Sequence, residues 1–182
     1  MWMLCSSLVG MVVSAANAFP RLPPGCVLTS LANPAAMFDL ATSTVCQDII
    51  RNLHAHNRII AAVCHGPAAL IDVKLANGSY LLAGQSVTCF SNAEEAALSN
   101  TKLPWLLESV MRERIGEKGN FTAAKELLGA CTVVSGGGKL ITGQNPASCK
   151  GMAEAILKEL GIEDGEEKDN VACMPRLNGH QK

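Results

Sequence analysis

The sequence predicts an α/β fold in which helices flank an open, mostly parallel sheet. Helical and strand patterns alternate along the chain, which is typical of parallel strands joined by helices. The run Ile59 to Val63 is continuously apolar, as expected for a strand that is covered on both faces. With 182 residues, of which 48% are apolar, the chain is long enough for one domain with a substantial core.

The segment before this strand predicts one helix and little other regular structure. Apolar residues recur at helical spacing from a cap at Ser43 or Thr44 as far as Asn57. Residues 19–36 are rich in proline and small residues, so no helix is expected there and only a short strand near 26–31 is predicted.

The segment after the strand predicts a turn and then two further elements. Gly66 ends the strand and Pro67 can start a helix, because proline is favoured in a first helical turn. A strand is predicted over residues 86–90, followed by an amphipathic helix that Pro104 opens and Gly116 closes.

The last part of the chain predicts a hairpin and one more helix. Two strands, 131–135 and 139–142, flank the glycine turn 136–138. A helix with one apolar face is predicted over residues 147–160. The tail 161–182 is acidic and polar in composition and is expected to be disordered.

A cysteine follows the buried strand directly, at the position where a nucleophile would stand. Ala62 and Gly66, on either side of Cys64, are small, as a tight turn from strand to helix requires. Backbone N–H groups at the start of the following helix, those of His65 and Gly66, would favour a thiolate and donate to an oxyanion. The alternative is that Cys64 is only a small apolar residue at the end of a buried strand.

The chain has four histidines, and one of them is next to this cysteine. His54 and His56 fall on the predicted surface helix and His180 falls in the polar tail, so His65 is the imidazole best placed to act on the thiol. A glutamine amidotransferase of the Cys-His-Glu type needs a histidine far downstream of its nucleophile. No histidine lies between His65 and His180, which argues against glutamine hydrolysis.

Charge and composition argue against several classes of partner. The 15 basic residues are balanced by 16 acidic ones and form no basic run, and aromatic residues make up only 4%, so no nucleic-acid partner is expected. The eight cysteines are widely spaced and lack a Cys-x-x-Cys pair, so no metal site is predicted. The even number of cysteines would allow a disulfide framework, but the chain is longer than the scaffolds that need one. Free thiols in a reducing compartment are therefore expected, which predicts a cytoplasmic protein.

The amino-terminal segment leaves an alternative location open. Leu4 to Ala16 are apolar or small, and Ala16-Asn17-Ala18 resembles a signal cleavage site, so residues 1–18 acting as a signal peptide would make the protein secreted. However, no Lys or Arg precedes Arg21, although a secretory signal normally has a basic start. The run is too short and too weakly apolar for a membrane span, so no membrane partner is predicted.

Four segments together carry a resemblance to a known family. They occur in the order Met37–Leu40, Ala62–Leu70, Phe90–Glu95 and Leu140–Ser148. The series resembles the PfpI-type branch of the class I glutamine amidotransferase-like superfamily, whose fold is flavodoxin-like, and most specifically its glutathione-independent glyoxalase group. Members of this group are also described as stress-inducible chaperones and D-lactate dehydratases. The resemblance covers residues 37–160.

Carried over position by position, the resemblance implies a site made of three side chains. Cys64 would be the nucleophile, His65 its partner base, and Glu95 the carboxylate that orients the imidazole. Glu95 is preferred over its neighbour Glu94 for this role. Without the resemblance, Glu95 would be interpreted as a solvated carboxylate in the first turn of a helix.

The implied reaction is the conversion of methylglyoxal to D-lactate. A thiolate attacks the aldehyde to give a hemithioacetal, a base moves a proton between the two carbons through an enediol, and water releases lactate. The resemblance implies a small dicarbonyl substrate, no cofactor and no metal. Dimerisation is common in the family, and the sequence leaves open whether this chain keeps the surface for a homodimer.

The amino-terminal part departs from the family pattern. Family members have the first strands of the sheet and a proton-transferring glutamate before the nucleophile, whereas here no Asp or Glu precedes Asp39. Residues 31–36 stand in place of a Gly-Gly-His-Gly type turn that contributes an oxyanion donor. We therefore expect residues 1–36 to be a non-homologous leader, residues 37–160 to form a domain that lacks the first strands, and turnover to be impaired.

Two other functions stay open on the sequence. A non-catalytic stress holdase or chaperone would fit the missing acid and the apolar surface that the loss of strands would expose. A cysteine peptidase would use the same nucleophile, but the sequence shows no substrate groove, and this function ranks last.

Overall fold

The computed structural model describes residues 35–98 and 103–162 of the chain. Its helices are α1 (Ala35–Phe38), α2 (Thr44–Ala55), α3 (Asn92–Leu98), α4 (Leu107–Ile115) and α5 (Cys149–Glu159). Its strands are β1 (Ile60–Val63), β2 (Ser86–Val87), β3 (Asn120–Phe121), β4 (Thr132–Ser135) and β5 (Leu140–Gly143). Short 3₁₀ helices lie at Gly66–Leu70, Gly136–Gly138 and Pro146–Ser148. The predicted α/β class is confirmed.

The central sheet has three strands in the order β1-β5-β4. β1 and β5 are parallel, with Ile60 opposite Leu140 and Val63 opposite Gly143. β4 is antiparallel to β5 and joins it through the glycine turn, so the predicted hairpin is confirmed. A second sheet pairs β2 with β3 in parallel. The described part of the central sheet is therefore mixed, with one parallel and one antiparallel pair.

β1 is covered on both faces, as its apolar run predicts. Ile60 and Ala62 belong to a large core cluster that includes residues of α1, α2 and α4. Ala61 and Val63 belong to a second cluster with Met152 of α5. Because side chains alternate between the two faces of a strand, α2 and α5 lie on opposite sides of the sheet.

α5 packs closely against the carboxyl end of β5, where a glycine leaves room for its side chains. A Cβ atom on Gly143 would overlap the Sδ atom of Met152 and crowd the Cβ atom of Ser148. The α5 side of the sheet is therefore tightly closed at the edge where β1 and β5 end side by side.

The predicted helix before β1 is confirmed, with Ser43 as its cap. The Ser43 hydroxyl accepts a hydrogen bond from the Cys46 amide at 3.2 Å, and the helix covers Thr44–Ala55. His54 and His56 are exposed at its end, as predicted for a surface helix. The chain then enters β1 with only a short connection.

The prediction that residues 19–36 contain no helix is wrong at their carboxyl end. α1 begins at Ala35 and covers four residues. Ala36 and Met37 are buried in the larger core cluster. Tertiary packing therefore stabilises a helix that is too short to be indicated by periodicity.

Two further helices differ from the prediction. The helix expected to open at Pro104 begins at Leu107, which is the first buried residue of that segment. The segment after Cys64 forms a five-residue 3₁₀ helix, Gly66–Leu70, instead of an α-helix. All of its residues are buried, so packing on every side determines its path, and it has no amphipathic pattern.

The final helix agrees better with the prediction, since a 3₁₀ turn over Pro146–Ser148 leads directly into α5.

The strand predicted over residues 86–90 is shorter than expected, because β2 ends after two residues. The Thr88 amide donates a hydrogen bond to the Thr142 hydroxyl at 2.9 Å, and the Phe90 amide donates to the Cys64 carbonyl at 3.0 Å. The segment therefore crosses over β5 and β1 instead of continuing in the second sheet. Of α3 the sequence indicated only a first helical turn at Glu95, and β3 was not predicted, since seven and two residues are too few to show a period.

Several predicted segments lie outside the described residues. These are the strand near 26–31, the leader 1–36 except its last two residues, and the tail 161–182 except its first two. Among the described residues, no helix combines the length and the apolar character that crossing a bilayer would require.

Candidate active site

Cys64 follows β1 directly and has a backbone conformation that non-glycine residues rarely adopt. Its φ angle is 60°, in the left-handed region that costs an ordinary residue about 1–3 kcal/mol. Two hydrogen bonds hold the strained residue in place. Its amide donates to the Gly143 carbonyl at 3.0 Å, and its carbonyl accepts from the Phe90 amide at 3.0 Å. The sharp turn predicted at this cysteine is therefore present.

The imidazole of His65 lies between the thiol and a carboxylate. Its Nδ1 atom is 3.4 Å from the Cys64 sulfur, and its Nε2 atom is 3.0 Å from Oε2 of Glu95. The ring also packs against Phe90, with the two ring centroids 4.7 Å apart. The structure thus brings together the three side chains that the sequence singled out, in the order thiol, imidazole, carboxylate.

The hydrogen-bond partners of His65 assign its tautomer. An ionised carboxylate is an acceptor only, so the Nε2 atom that faces Glu95 carries the proton of the neutral ring. Nδ1 then presents its lone pair to the Cys64 thiol. In this arrangement the imidazole can take the thiol proton, and the resulting imidazolium is held by the carboxylate.

The site is enclosed. Cys64 is 2% exposed and His65 is 5% exposed. Glu95 is half-buried in the first turn of α3, where its amide donates to the Ser91 carbonyl at 2.9 Å. Such a site admits a small molecule far more easily than a polypeptide chain.

The two backbone amides that follow Cys64 in the chain are available as donors. Within residues 35–98 and 103–162, neither the His65 nor the Gly66 amide hydrogen has an acceptor. They lie at the start of the 3₁₀ helix, as the sequence predicts for oxyanion donors. That helix has only five residues, so its dipole favours a thiolate less than the expected α-helix would.

Glu94 is a residue to which sequence reasoning assigned no role. It is fully buried and accepts hydrogen bonds from the Ser91 amide at 2.8 Å and the Ser91 hydroxyl at 2.7 Å. Its other oxygen accepts from the Asn145 side chain at 2.7 Å. The pattern Ser91-x-x-Glu94 is the signature of a capping box, and this was the signal by which the sequence could have revealed it.

Another buried thiol, Cys89, lies one residue before Phe90. Its sulfur donates to the Phe90 carbonyl at 3.4 Å. Burial and then the nearby charges of Glu108, Cys64 and Glu94 raise the pKa of Cys89 well above its ordinary value. Cys89 therefore keeps its proton at neutral pH.

The described residues contain no other evident chemical centre. Their five cysteines are not joined to one another by disulfides. No group of three His, Cys, Asp or Glu side chains in this part of the chain is arranged to hold a metal ion.

Comparison with known proteins gives a family and several relatives. Residues 35–159 match the DJ-1/PfpI family. Glutathione-independent glyoxalase hsp3101 of Schizosaccharomyces pombe is 33% identical over 143 residues, which cover 73% of this chain and 56% of that protein. Glutathione-independent glyoxalase HSP31 of Saccharomyces cerevisiae is 33% identical over 127 residues, which cover 67% of this chain and 52% of that protein. The chain thus spans about half the length of these curated relatives.

Solved structures agree with this match. The Rapid Encystment Protein of Francisella tularensis has a TM-score of 0.66 at 31% identity, covering 74% of this chain and 57% of its own. The glyoxalase III of Candida albicans has a TM-score of 0.64 at 22% identity, covering 72% of this chain and 56% of its own. At 22% identity this second likeness supports the fold alone. The predicted resemblance to the PfpI-type family and its glyoxalase group is confirmed.

Proposed function

This chain belongs to the DJ-1/PfpI family, and on that premise we propose that it is a glutathione-independent glyoxalase that converts methylglyoxal to D-lactate. The observation that carries the proposal is the continuous contact from the Cys64 sulfur through His65 to Glu95, at 3.4 and 3.0 Å. The curated relatives with this activity in their names support the choice of substrate.

In the proposed reaction, His65 takes the proton of Cys64 and the thiolate attacks the aldehyde carbon of methylglyoxal. A carbon–sulfur bond forms, and the carbonyl π electrons move to oxygen, where the His65 and Gly66 amides can donate hydrogen bonds. Protonation of this oxygen gives the hemithioacetal. His65 is the base that the described residues bring to the sulfur, so we assign to it the next proton transfer as well.

The second half of the reaction moves hydrogen within the substrate. Removal of the C1 proton gives an enediol, and protonation of C2 gives a thioester of lactate, which water hydrolyses to free the Cys64 thiol. C1 is oxidised to the carboxyl level while C2 is reduced from a ketone to an alcohol. Oxidation and reduction balance inside one molecule, so the proposed reaction needs no external oxidant or reductant.

The enclosure of the site favours this substrate over a peptide. A sulfur in a residue that is 2% exposed cannot meet an extended polypeptide without large rearrangement. Methylglyoxal has five non-hydrogen atoms and needs only a small opening. Cysteine peptidase activity is therefore the weakest of the functions considered.

The proposal is tested with purified protein, methylglyoxal and no glutathione, using a stereospecific assay for D-lactate. Wild type should form D-lactate, and Cys64→Ala should form none above background. Cys89→Ala is the matched control, since it removes a buried thiol from the same part of the fold, and it should remain active. Equal background rates in wild type and Cys64→Ala would refute the enzymatic function.

A second candidate is a stress holdase, a function that would use apolar side chains on the surface to bind unfolded clients. These are exposed at several separate places in the described chain, among them Phe38, Val45, Leu127 and Leu128. Suppression of aggregation of a client protein that survives Cys64→Ala would support this function. Its absence in a preparation that shows Cys64-dependent turnover would count against it.

The reaction class and location complete the proposal. We assign the reaction to the lyases, as a D-lactate dehydratase, and place the protein in the cytoplasm, where unpaired thiols are stable. A reporter fused to residues 1–30 should stay in the cytosol. Export of the reporter would favour secretion instead.

A further inference from the structure

The buried carboxylate of Glu94 lies next to the proposed catalytic residues, and its burial needs an explanation. Glu94 is 0% exposed, and burying a charge in this way is costly unless partners compensate it. Its partners among the described residues are all hydrogen-bond donors. They are the Ser91 amide at 2.8 Å, the Ser91 hydroxyl at 2.7 Å and the side-chain amide of Asn145 at 2.7 Å.

The two oxygens of Glu94 do different things. Oε2 accepts both bonds from Ser91 and so caps the start of α3. Oε1 accepts from Asn145, which lies beyond the end of β5. Asn145 is itself anchored, because its Nδ2 atom also donates to the Gly129 carbonyl at 2.8 Å. A capping box needs only the bond from the Ser91 amide to Glu94 and the reciprocal bond from the Glu94 amide to the Ser91 hydroxyl, which is 3.2 Å long. The bond to Asn145 therefore has to be explained separately.

Consecutive residues of α3 are tied to the ends of neighbouring strands. Glu94 reaches Asn145 after β5, and Glu95 reaches His65 after β1, at 2.7 and 3.0 Å. β1 and β5 are parallel partners whose last residues lie opposite each other. The two bonds therefore fix both the position and the rotation of α3 on this edge of the sheet.

Rotation matters because α3 is short. It has seven residues, and isolated helices of that length are marginal in water. Successive residues point about 100° apart around a helix, so a small rotation would move the Glu95 carboxylate away from Nε2 of His65.

We propose that Glu94 and Asn145 are positioning residues that hold Glu95 against His65. Neither touches the sulfur, and both act through the orientation of the imidazole that receives the thiol proton. The inference rests on the proposed function of Cys64, His65 and Glu95.

Two substitutions break the hydrogen bond between Asn145 and Glu94, here called the bridge, while keeping side-chain size. Asn145→Asp places a second carboxylate against Glu94. Glu94→Gln keeps an acceptor for the Ser91 amide, as Gln does in capping boxes, but can turn its NH₂ group toward the amide of Asn145. In the double variant the amide and the carboxylate exchange places, so the bridge can form again.

The readout is the rate at which iodoacetamide labels Cys64 at pH 7, followed by mass spectrometry of the peptide that contains it. Each single variant should label about tenfold more slowly, the lower end of the loss seen when an outer partner of a metal-ligating side chain is removed. The double variant should regain at least part of the wild-type rate. Gln144→Ala is the control: it removes a part-buried hydrogen bond that the Ala124 amide donates to the Gln144 side chain at 2.8 Å, in the same loop, and should lower the melting temperature without slowing labelling.

A second measurement separates positioning from general damage. In a Glu95→Gln background, Asn145→Asp should slow labelling no further, because its effect passes through Glu95. Wild-type labelling in folded Asn145→Asp would overturn the proposal, and so would an equal slowing in both backgrounds. If Asn145→Asp does not fold, Glu94→Gln is judged by the same criteria, and failure of both to fold would show that the bridge is only structural.

This experiment can fail independently of the proposed function. Labelling reports the reactivity of Cys64 whether or not methylglyoxal is a substrate. Absence of D-lactate formation with normal bridge effects would remove the proposed substrate and keep the positioning role. D-lactate formation without bridge effects would keep the proposed substrate and remove the positioning role.

Discussion

Cys64 and Cys89 are both buried thiols close to the carboxyl edge of the central sheet, but their neighbours differ. Cys64 is in a strained left-handed conformation with an imidazole nitrogen 3.4 Å from its sulfur. Cys89 directs its thiol to the Phe90 carbonyl, and burial together with nearby negative charge raises its pKa. A carbonyl accepts a hydrogen bond but does not take the proton.

Burial alone favours the protonated form of a thiol, as at Cys89. Cys64 differs in having an imidazole nitrogen beside its sulfur, and that ring contacts a carboxylate on a separate helix. The following predictions test that distinction.

The largest expected difference is in alkylation of the two thiols in the folded protein at pH 7. Cys64 should react on the order of 10³-fold faster or more, since Cys89 becomes accessible only when the fold opens, and opening equilibria are about 10⁻³ or smaller. A time course with iodoacetamide, resolved by peptide mass spectrometry, measures both rates at once.

The denatured chain is the control for this labelling experiment, and in it the two cysteines should react at similar rates. If Cys64 in the folded protein is no faster than Cys89, then Cys64 is only a packing residue and the proposed site is wrong.

The second prediction removes the proton acceptor. His65→Gln should lower kcat/KM for D-lactate formation by about 10²–10⁴-fold, the usual contribution of a general base, and should make the labelling of Cys64 approach that of Cys89. His54→Gln is the matched control, because His54 is exposed at the end of α2 and should leave both measurements unchanged. Wild-type turnover in His65→Gln would contradict the assignment of the base.

Sequence reasoning reached the parts of this site that depend on local pattern. The apolar run of β1 and the small residues around Cys64 indicated the turn, and the position of His65 follows from adjacency. The helix cap at Ser43 and the glycine hairpin were likewise local signals. The choice of Glu95 came from the family resemblance and not from any period in the sequence.

The remaining features depend on contacts between distant segments. The bond from Glu94 to Asn145 joins residues 51 positions apart, and no local pattern encodes such a pair. α3 and β3 are too short to show a period, and α1 is stabilised by burial in the core. The early end of β2 has the same origin, since Thr88 leaves the strand to bond with Thr142 on β5.

The third prediction concerns the carboxylate that orients the imidazole. Glu95→Gln should lower kcat/KM on the order of 10²-fold, because an amide can hold the ring in the wrong tautomer while the base itself remains. Glu113→Gln, at an exposed position on α4, is the control and should behave as wild type. Unchanged turnover in Glu95→Gln would mean that His65 needs no partner, and the contrast with Cys89 would then rest on the imidazole alone.

The smallest expected effect is on stability, and it concerns Cys89. The folded state holds the pKa of this thiol well above its ordinary value of 9.0, whereas the unfolded chain titrates near that value. Above pH 9 the unfolded chain therefore loses a proton that the folded chain keeps, so the free energy of unfolding falls as pH rises, by up to about 1.4 kcal/mol per pH unit. Between pH 8 and pH 10, wild type should lose about 1 kcal/mol more than Cys89→Ala, measured by urea unfolding. Wild type should also lose more unfolding free energy than Cys46→Ala over this pH range, but by a smaller amount, because burial raises the pKa of Cys46 less. Equal losses in wild type and Cys89→Ala would mean that Cys89 ionises freely in the folded protein, and burial would then no longer separate it from Cys64.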